Sequence, residues 1–369
     1  MLNYTKIDRK IKNIFGILNY NSLFYKIIWG SCINFLIMKN KIYTLLLVML
    51  FAASSLYAQQ EAQFSQFMFN KLAYNPGYAG SDQKICFTGL ARQQWMGFQD
   101  PNGDNTAPQT FLASLDACLN FSNRDNFWSR SGIGLLVSQD KLGYEKATTV
   151  KISYSYHVNL GGGKLGIGAQ IGFIDKKIDF AKFIPIDAAD PLLITKTLQS
   201  NFFTDYAFGL YYQMPGKYYL GFSSLNLSEP KGFNYLDSHG GTSYSYALDR
   251  AYFIMAGYEY IFPDNPSFEL DPHLLVKTDF KSTQYDIAAL LRYNNKVWGG
   301  LSYRVQDAIT VILGWSPIPA WQFGYSYDIT TSSMGGAGKS SGSHELFVKY
   351  CFNITFPYNP KSYRNTRHL

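Results

Sequence analysis

Nowhere inside the chain is there a run of twenty apolar residues, so no internal helix is available to cross a bilayer. Charge is scarce at 16%, and the formal excess of +7 is gathered at the N-terminus: the first 58 residues hold seven Lys or Arg against one acid. The remainder of the chain is close to neutral, which removes the usual reason to expect a nucleic-acid partner. The five histidines and four cysteines form no HExxH or CxxC spacing, so neither a metal nor a cofactor is implied. Ser343 and His344 are neighbours, and in a strand neighbours face opposite ways, so no Ser-His pair for hydrolysis is available and no catalytic residue is assigned. The run Gly161 to Gly166 satisfies GxGxxG, but a strand pattern follows it and not a helix, which makes it a hairpin turn and not a phosphate cradle.

Cysteine pairing is left open by the counts. Cys32 belongs to the leader region, and Cys86, Cys118 and Cys351 are an odd set. They read as small wall residues, with a Cys86 to Cys118 bridge between neighbouring strands as the alternative in an oxidising compartment.

What is abundant points one way. Aromatics reach 17%, with 29 Tyr and 28 Phe, beside 31 Gly. In AWQFGYSYDIT, Trp321, Phe323, Tyr325 and Tyr327 alternate with Gln322, Gly324, Ser326 and Asp328, and HELFVKYCF repeats the alternation with Leu346, Val348, Tyr350 and Phe352. A period of two with one apolar face and aromatic ends describes a strand crossing a membrane at a tilt.

From Lys84 onward fourteen such segments are predicted, with cores at 84 to 93, 109 to 120, 131 to 139, 147 to 159, 164 to 176, 202 to 213, 217 to 227, 250 to 262, 267 to 280, 284 to 293, 296 to 304, 308 to 316, 320 to 329 and 343 to 353. The fold class is therefore all-β, a transmembrane antiparallel barrel of about 14 strands. Connections after the even segments from the fourth are tight, whereas those after segments 1, 3, 5, 7 and 13 read as long loops. The short turns then mark the periplasmic rim. In hydrocarbon an open sheet edge is untenable, so the last strand pairs with the first. The polar face must point inward, which gathers Arg92, Glu269, Asp271, Lys277, Asp286, Arg292, Arg304, Asp328 and Glu345 into the lumen. A salt-bridge network is the main reading of them, and a selective ion path the sharper alternative.

Upstream, MKNKIYTLLLVMLFAASSLYAQQ from Met38 reads as a signal peptide cut after Ala58, so the barrel is expected in an outer membrane, with N- and C-termini periplasmic. Residues 1–37 are mostly Ile, Lys, Asn, Phe, Tyr and Leu and read as a translated upstream extension, with Met38 as the start. The expected organisation is thus 38–58 leader, 59–83 pre-barrel segment, 84–353 barrel and 354–369 periplasmic tail. In the pre-barrel stretch Phe64, Phe67, Met68 and Leu72 fall at helical spacing until Asn75-Pro76-Gly77 stops them.

QFSQFMFNKLAYNPGYAGS (Gln63 to Ser81), Arg92-Gln-Gln-Trp95, Tyr303-Arg304, GYSYD (Gly324 to Asp328) and GSHELFVKY (Gly342 to Tyr350) together resemble the PorP/SprF family of outer-membrane proteins. That family belongs to the type IX secretion and gliding-motility machinery of certain Gram-negative bacteria. The resemblance implies a non-enzymatic barrel embedded in outer-membrane lipid that works with periplasmic ring or lipoprotein components and, in some members, with a large surface adhesin. Asn75, Pro76, Tyr78 and Gly80 become candidate partner-binding residues, the bland alternative being a turn that leads into the first strand. The loops around 177–201, 228–248 and 330–342 are the other candidate surfaces. The competing functional class is a passive diffusion porin.

Overall fold

The computed structural model describes residues 62–100, 103–119, 130–179, 182, 198–236, 243–332, 335 and 340–352. The readings made for 1–37, for the leader 38–58 and for the tail 354–369 lie outside these residues, as does most of the loop 177–201.

Fourteen antiparallel strands close on themselves. Seven lead off: β1 (Ile85–Gln93), β2 (Gln109–Cys118), β3 (Ser131–Leu142), β4 (Glu145–Leu160), β5 (Gly163–Asp179), β6 (Leu198–Met214) and β7 (Tyr218–Leu225). A separate hairpin, β8 (Lys231–Leu236) with β9 (Ser243–Ala247), interrupts the series. The wall resumes with β10 (Ala251–Tyr258) and its short continuation β11 (Tyr260–Ile261). It ends with β12 (Phe268–Thr278), β13 (Thr283–Tyr293), β14 (Val297–Arg304), β15 (Ala308–Trp315), β16 (Trp321–Thr330) and β17 (Ser343–Phe352). Neighbours pair in sequence order, and β1 pairs with β17 from Ile85 opposite Phe352 to Gln93 opposite His344. The pairing with β12 lapses at Tyr258 and Glu259, which the flanking register, Gly257 to His273 and Tyr260 to Leu270, sets opposite Pro272 and Asp271. Proline has no N–H to give, so the ladder lapses there for a step.

Alternation is satisfied by burial. Outward residues such as Phe111 (53%), Leu301 (60%), Leu313 (56%) and Leu346 (60%) are exposed, while Arg92, Arg304, Asp328 and Glu345 are buried inside. Inverting one strand would put a charge in lipid at about 2–4 kcal/mol for Lys or Arg at mid-bilayer. At one rim Trp321 stacks with Phe323 and packs on Tyr350, which meets Phe352, a run of rings suited to the headgroup level. Apart from the connection 119–130, the turns on this rim are short. Asn294 and Asn295, both with positive φ, close Tyr293 onto Lys296 as a two-residue hairpin turn.

The opposite rim carries the connections 94–108, 226–250 and 331–342. Here one expectation is corrected. The connection after the third segment is not a long loop: Gly143 and Tyr144 alone turn β3 into β4. The residues taken for loop extend β3 and β4, just as β5 and β6 run on to 17 residues each against eight in β14 and β15. At about 3.3 Å per residue these strands project well past the band that the shorter ones span.

The cysteines also differ from the reading. Cys86 bonds Cys351, which stands directly opposite it in the closing ladder; Asp116 takes the opposing place on β2, and Cys118 lies two steps further along. On a denaturing gel without reductant the chain should therefore run faster than its reduced form. The Cys86→Ser/Cys351→Ser variant should lose that difference yet keep a heat-modifiable barrel, since the nine-residue ladder of β1 with β17 remains.

Candidate functional site

The lumen is filled by residues 62–82. Helical spacing was legible here, but the segment is not one helix. It makes a 3-10 turn at Phe67–Phe69, one α turn at Lys71–Tyr74 and a second 3-10 turn at Pro76–Tyr78. The wall supplies the alternative to helical hydrogen bonding: the Ser65 and Gln66 amides donate to Glu345 Oε2 and Oε1, each at 2.8 Å. Phe64, Phe67, Met68, Phe69, Leu72, Tyr74 and Tyr78 then share one core with Leu90, Tyr211, Phe253, Trp298 and Phe347 of the wall. Phe69 stacks on Phe347 at 4.8 Å and Tyr74 meets Phe253 at 5.4 Å. Burying such side chains is worth about 1.5–3 kcal/mol apiece, so the segment is a fitted part of the fold.

The four candidate partner-binding residues lie inside this packing. Asn75 accepts from the Gly77 amide at 2.8 Å and donates through Nδ2 to Leu210 O on β6 at 2.9 Å and to Phe222 O on β7 at 3.3 Å. Pro76, Tyr78 and Gly80 are buried with it. The backbone of this stretch is held by Ser223 Oγ on Tyr74 O, Ser155 Oγ on Gly77 O and His157 Nε2 on Ala79 O. It fits because Gly132, Gly166, Gly168 and Gly209 present bare backbone; a Cβ at Gly168 would overlap Pro76 and Gly77. In this arrangement the motif faces its own wall, and a partner reaches it only if the segment leaves the lumen.

The nine candidate lumen residues divide. Towards the long-loop rim Arg92 pairs with Asp328 at 2.7 Å and Glu345 at 3.1 Å, and its Nη1 donates to Ser65 Oγ at 2.6 Å. Ser65 Oγ passes a hydrogen bond on to Asp328, and Thr310 takes the other oxygen. Arg304 holds Asp286 at 3.0 Å, reaches Asp328 at 3.9 Å and donates to Phe64 O at 3.4 Å. Arg292 pairs with Asp271 at the short-turn rim, beside Glu269, and Lys277 sits over the Phe253 ring. Each bond from Ser65 or Phe64 ties the plug to a wall charge.

Reasoning from sequence missed a third tie. Lys349 Nζ meets Asp82 Oδ2 at 2.8 Å, and the Tyr78 hydroxyl donates to the same oxygen at 2.8 Å. Lys349 was legible as inward, being in phase with Glu345 and Phe347, but Asp82 lies off the strands where no periodicity marks it. Burial pushes the Asp82 carboxyl up, yet the Lys349 ammonium, helped by Tyr78, outweighs it and holds the pKa at about 2. A depressed carboxylate contributes stability above its ordinary value of 3.8 and loses it as pH falls through about 2. Asp82→Asn should cost about 2 kcal/mol at pH 7, since each tenfold gain in acidity on folding is worth about 1.4 kcal/mol. The heat-modification midpoint of this variant should then change less than that of the wild type between pH 4 and pH 2.

A closed antiparallel barrel with an apolar outer band and a lumen packed by its own N-terminal segment is a plugged barrel of the outer-membrane type. Residues 56–350 match the family described as type IX secretion system membrane protein PorP/SprF. The chain belongs to that family, and as a membrane-embedded component of that system it meets lipid and the secretion machinery. The comparison with curated proteins gives no match. Among solved structures the chain is similar to the Ralstonia pickettii toluene transporter TbuX, at 11% identity and TM-score 0.45 over 82% of this chain and 97% of that one. It is similar also to the Acinetobacter baumannii outer-membrane protein Omp33, at 10% identity and TM-score 0.40 over 73% and 99%. A Pseudomonas aeruginosa FadL homologue stands at 13% and 0.41 over 74% and 91%. Likenesses of this order carry nothing about activity.

Proposed function

We propose that this barrel is a non-enzymatic holder in type IX secretion, which supports secretion or surface display of cargo such as an adhesin by binding partners at its rims and does not conduct solutes. The observation that carries the reading is the lumen: residues 62–82 share the wall's hydrophobic core and bond three sets of wall charges, so the interior is occupied by the chain itself. Recognition is then left to the rims. The short turns and the C-terminal tail face the periplasm, where ring or lipoprotein components wait. The connections 94–108, 226–250 and 331–342 and the projecting ends of β3 to β6 face outward, to cargo. At the other end of the chain, Gln63 donates to Gln284 near the start of β13, so the described chain begins within the wall on the long-loop side.

The test is to tag the C-terminus, crosslink intact outer membranes, purify the protein and identify what accompanies it by mass spectrometry. Secretion-ring proteins or one giant surface protein should be recovered. A barrel that comes out alone and gives stepwise conductance in a planar bilayer would overturn the reading in favour of a diffusion porin.

A further inference from the structure

On the outside of the wall, register sets three lysines side by side at the long-loop end of the projecting strands. Lys141 on β3 stands opposite Lys146 on β4, and Lys146 opposite Lys177 on β5. All three are in phase with the lipid-facing residues of their strands. The last apolar ones, Val137, Val150 and Phe173, form a rung of their own, and on each strand the lysine follows four residues later. At about 3.3 Å per residue and a tilt of about 40°, the lysine rung lies about 10 Å beyond the apolar band, at headgroup height.

Like charges directly opposite one another destabilise a sheet. Lys177 is relieved by Asp175 at 3.0 Å. The ammonium groups of Lys141 and Lys146 meet no carboxylate among the described residues. The acids next to them in sequence, Asp140 and Glu145, turn inward to Thr110 and Lys176. A second feature adjoins this pair. A groove of about 580 Å3 lies on the lipid-facing side of β1 and β2, where Gly89, Ala91 and Ala113 leave the wall low between Leu346 and Val348 on one flank and Val137 on the other. Its lining reaches Gln139, and the next outward residue of β3 is Lys141. The surrounding wall faces hydrocarbon, so a narrow apolar groove there takes an acyl chain. A chain slot leading up to two unpaired cations describes an anionic lipid. Two cations match the near double charge of a phosphate monoester better than the single charge of a phosphodiester.

We propose that this face holds one molecule of lipid A, the phosphorylated glycolipid of the outer leaflet, with an acyl chain in the groove and a phosphate between Lys141 and Lys146. The choice of that leaflet rests on the orientation adopted above, with the long-loop rim outward; the chemistry of the site does not. The experiment titrates the purified, folded barrel in detergent micelles with lipid A and counts bound lipid by native mass spectrometry, with dephosphorylated lipid A and phosphatidylglycerol as controls. Saturable one-to-one retention of lipid A is expected, at least tenfold tighter than that of either control. Lys141→Gln/Lys146→Gln should weaken it at least tenfold, and Ala113→Phe, which fills the groove, should weaken it with both lysines in place. These positions face away from the lumen, so both variants should keep the heat-modifiability of an intact barrel. Equal retention by the lysine variant, unchanged retention by Ala113→Phe, or no saturation overturns the assignment. Equal retention of phosphatidylglycerol overturns it too, in favour of a general anionic-lipid surface. The titration needs no protein partner, so its failure leaves the crosslinking result standing, and a bare, conducting barrel would sink the proposed function whatever lipid is bound.

Discussion

Replacing Arg92 by methionine is expected to cost about 3–5 kcal/mol, the scale of removing one member of a buried ion cluster. The reason lies in what it leaves behind. Asp328 and Glu345 are 1% and 0% exposed, and without Arg92 the carboxylate of Glu345 keeps only the Ser65 and Gln66 amides. Arg304, 3.9 Å from Asp328, is already committed to Asp286 and Asp307 and cannot stand in fully. Urea titration of barrel refolded into detergent micelles, read by heat-modifiability, should show the midpoint fall sharply. Adding Asp328→Asn and Glu345→Gln should recover part of the loss, because the stranded charges go with their partner. A near-neutral Arg92→Met would mean that apolar packing alone seats the plug.

Gly168→Val should separate wall from plug. Its backbone has ordinary strand geometry, and valine is a favoured strand residue, so the substitution suits β5 taken alone. Only the plug objects, since the new side chain occupies the space of Pro76 and Gly77. The expected result is a barrel that still assembles, with residues 62–82 open to protease and stepwise conductance where the wild type has little. If the variant yields no barrel at all, the plug is required to fold the wall and is not a separable insert.

The strands were legible because their signal is local. Each crosses lipid with one face wet, and a period of two is visible within ten residues without knowing any partner. Where that condition lapses, so does the signal. Past the bilayer both faces of β3 and β4 meet water, alternation is no longer demanded, and DKLGYEK reads as loop although all of it but Gly143 and Tyr144 is paired strand. The disulfide was missed for the opposite reason: the register that sets Cys86 against Cys351 is made only when the barrel closes. The candidate site was half legible. Parity put Arg92, Arg304, Asp328 and Glu345 inside together, but nothing in NPGYAG reveals that its complement is a set of glycines on β3, β5 and β6. Each of those alone reads merely as a weak strand position.

The Cys86–Cys351 bond joins chain positions 265 residues apart. Hydrogen-bonded strands pulled at one corner peel rung by rung, and a barrel under tension from a tethered surface protein would start to peel where its first and last strands meet. The bond lies at the second rung from the short-turn end, so a tug on that rim is carried across the seam instead of parting it. With the seam pinned at that end, the wall has no free hem on the short-turn rim.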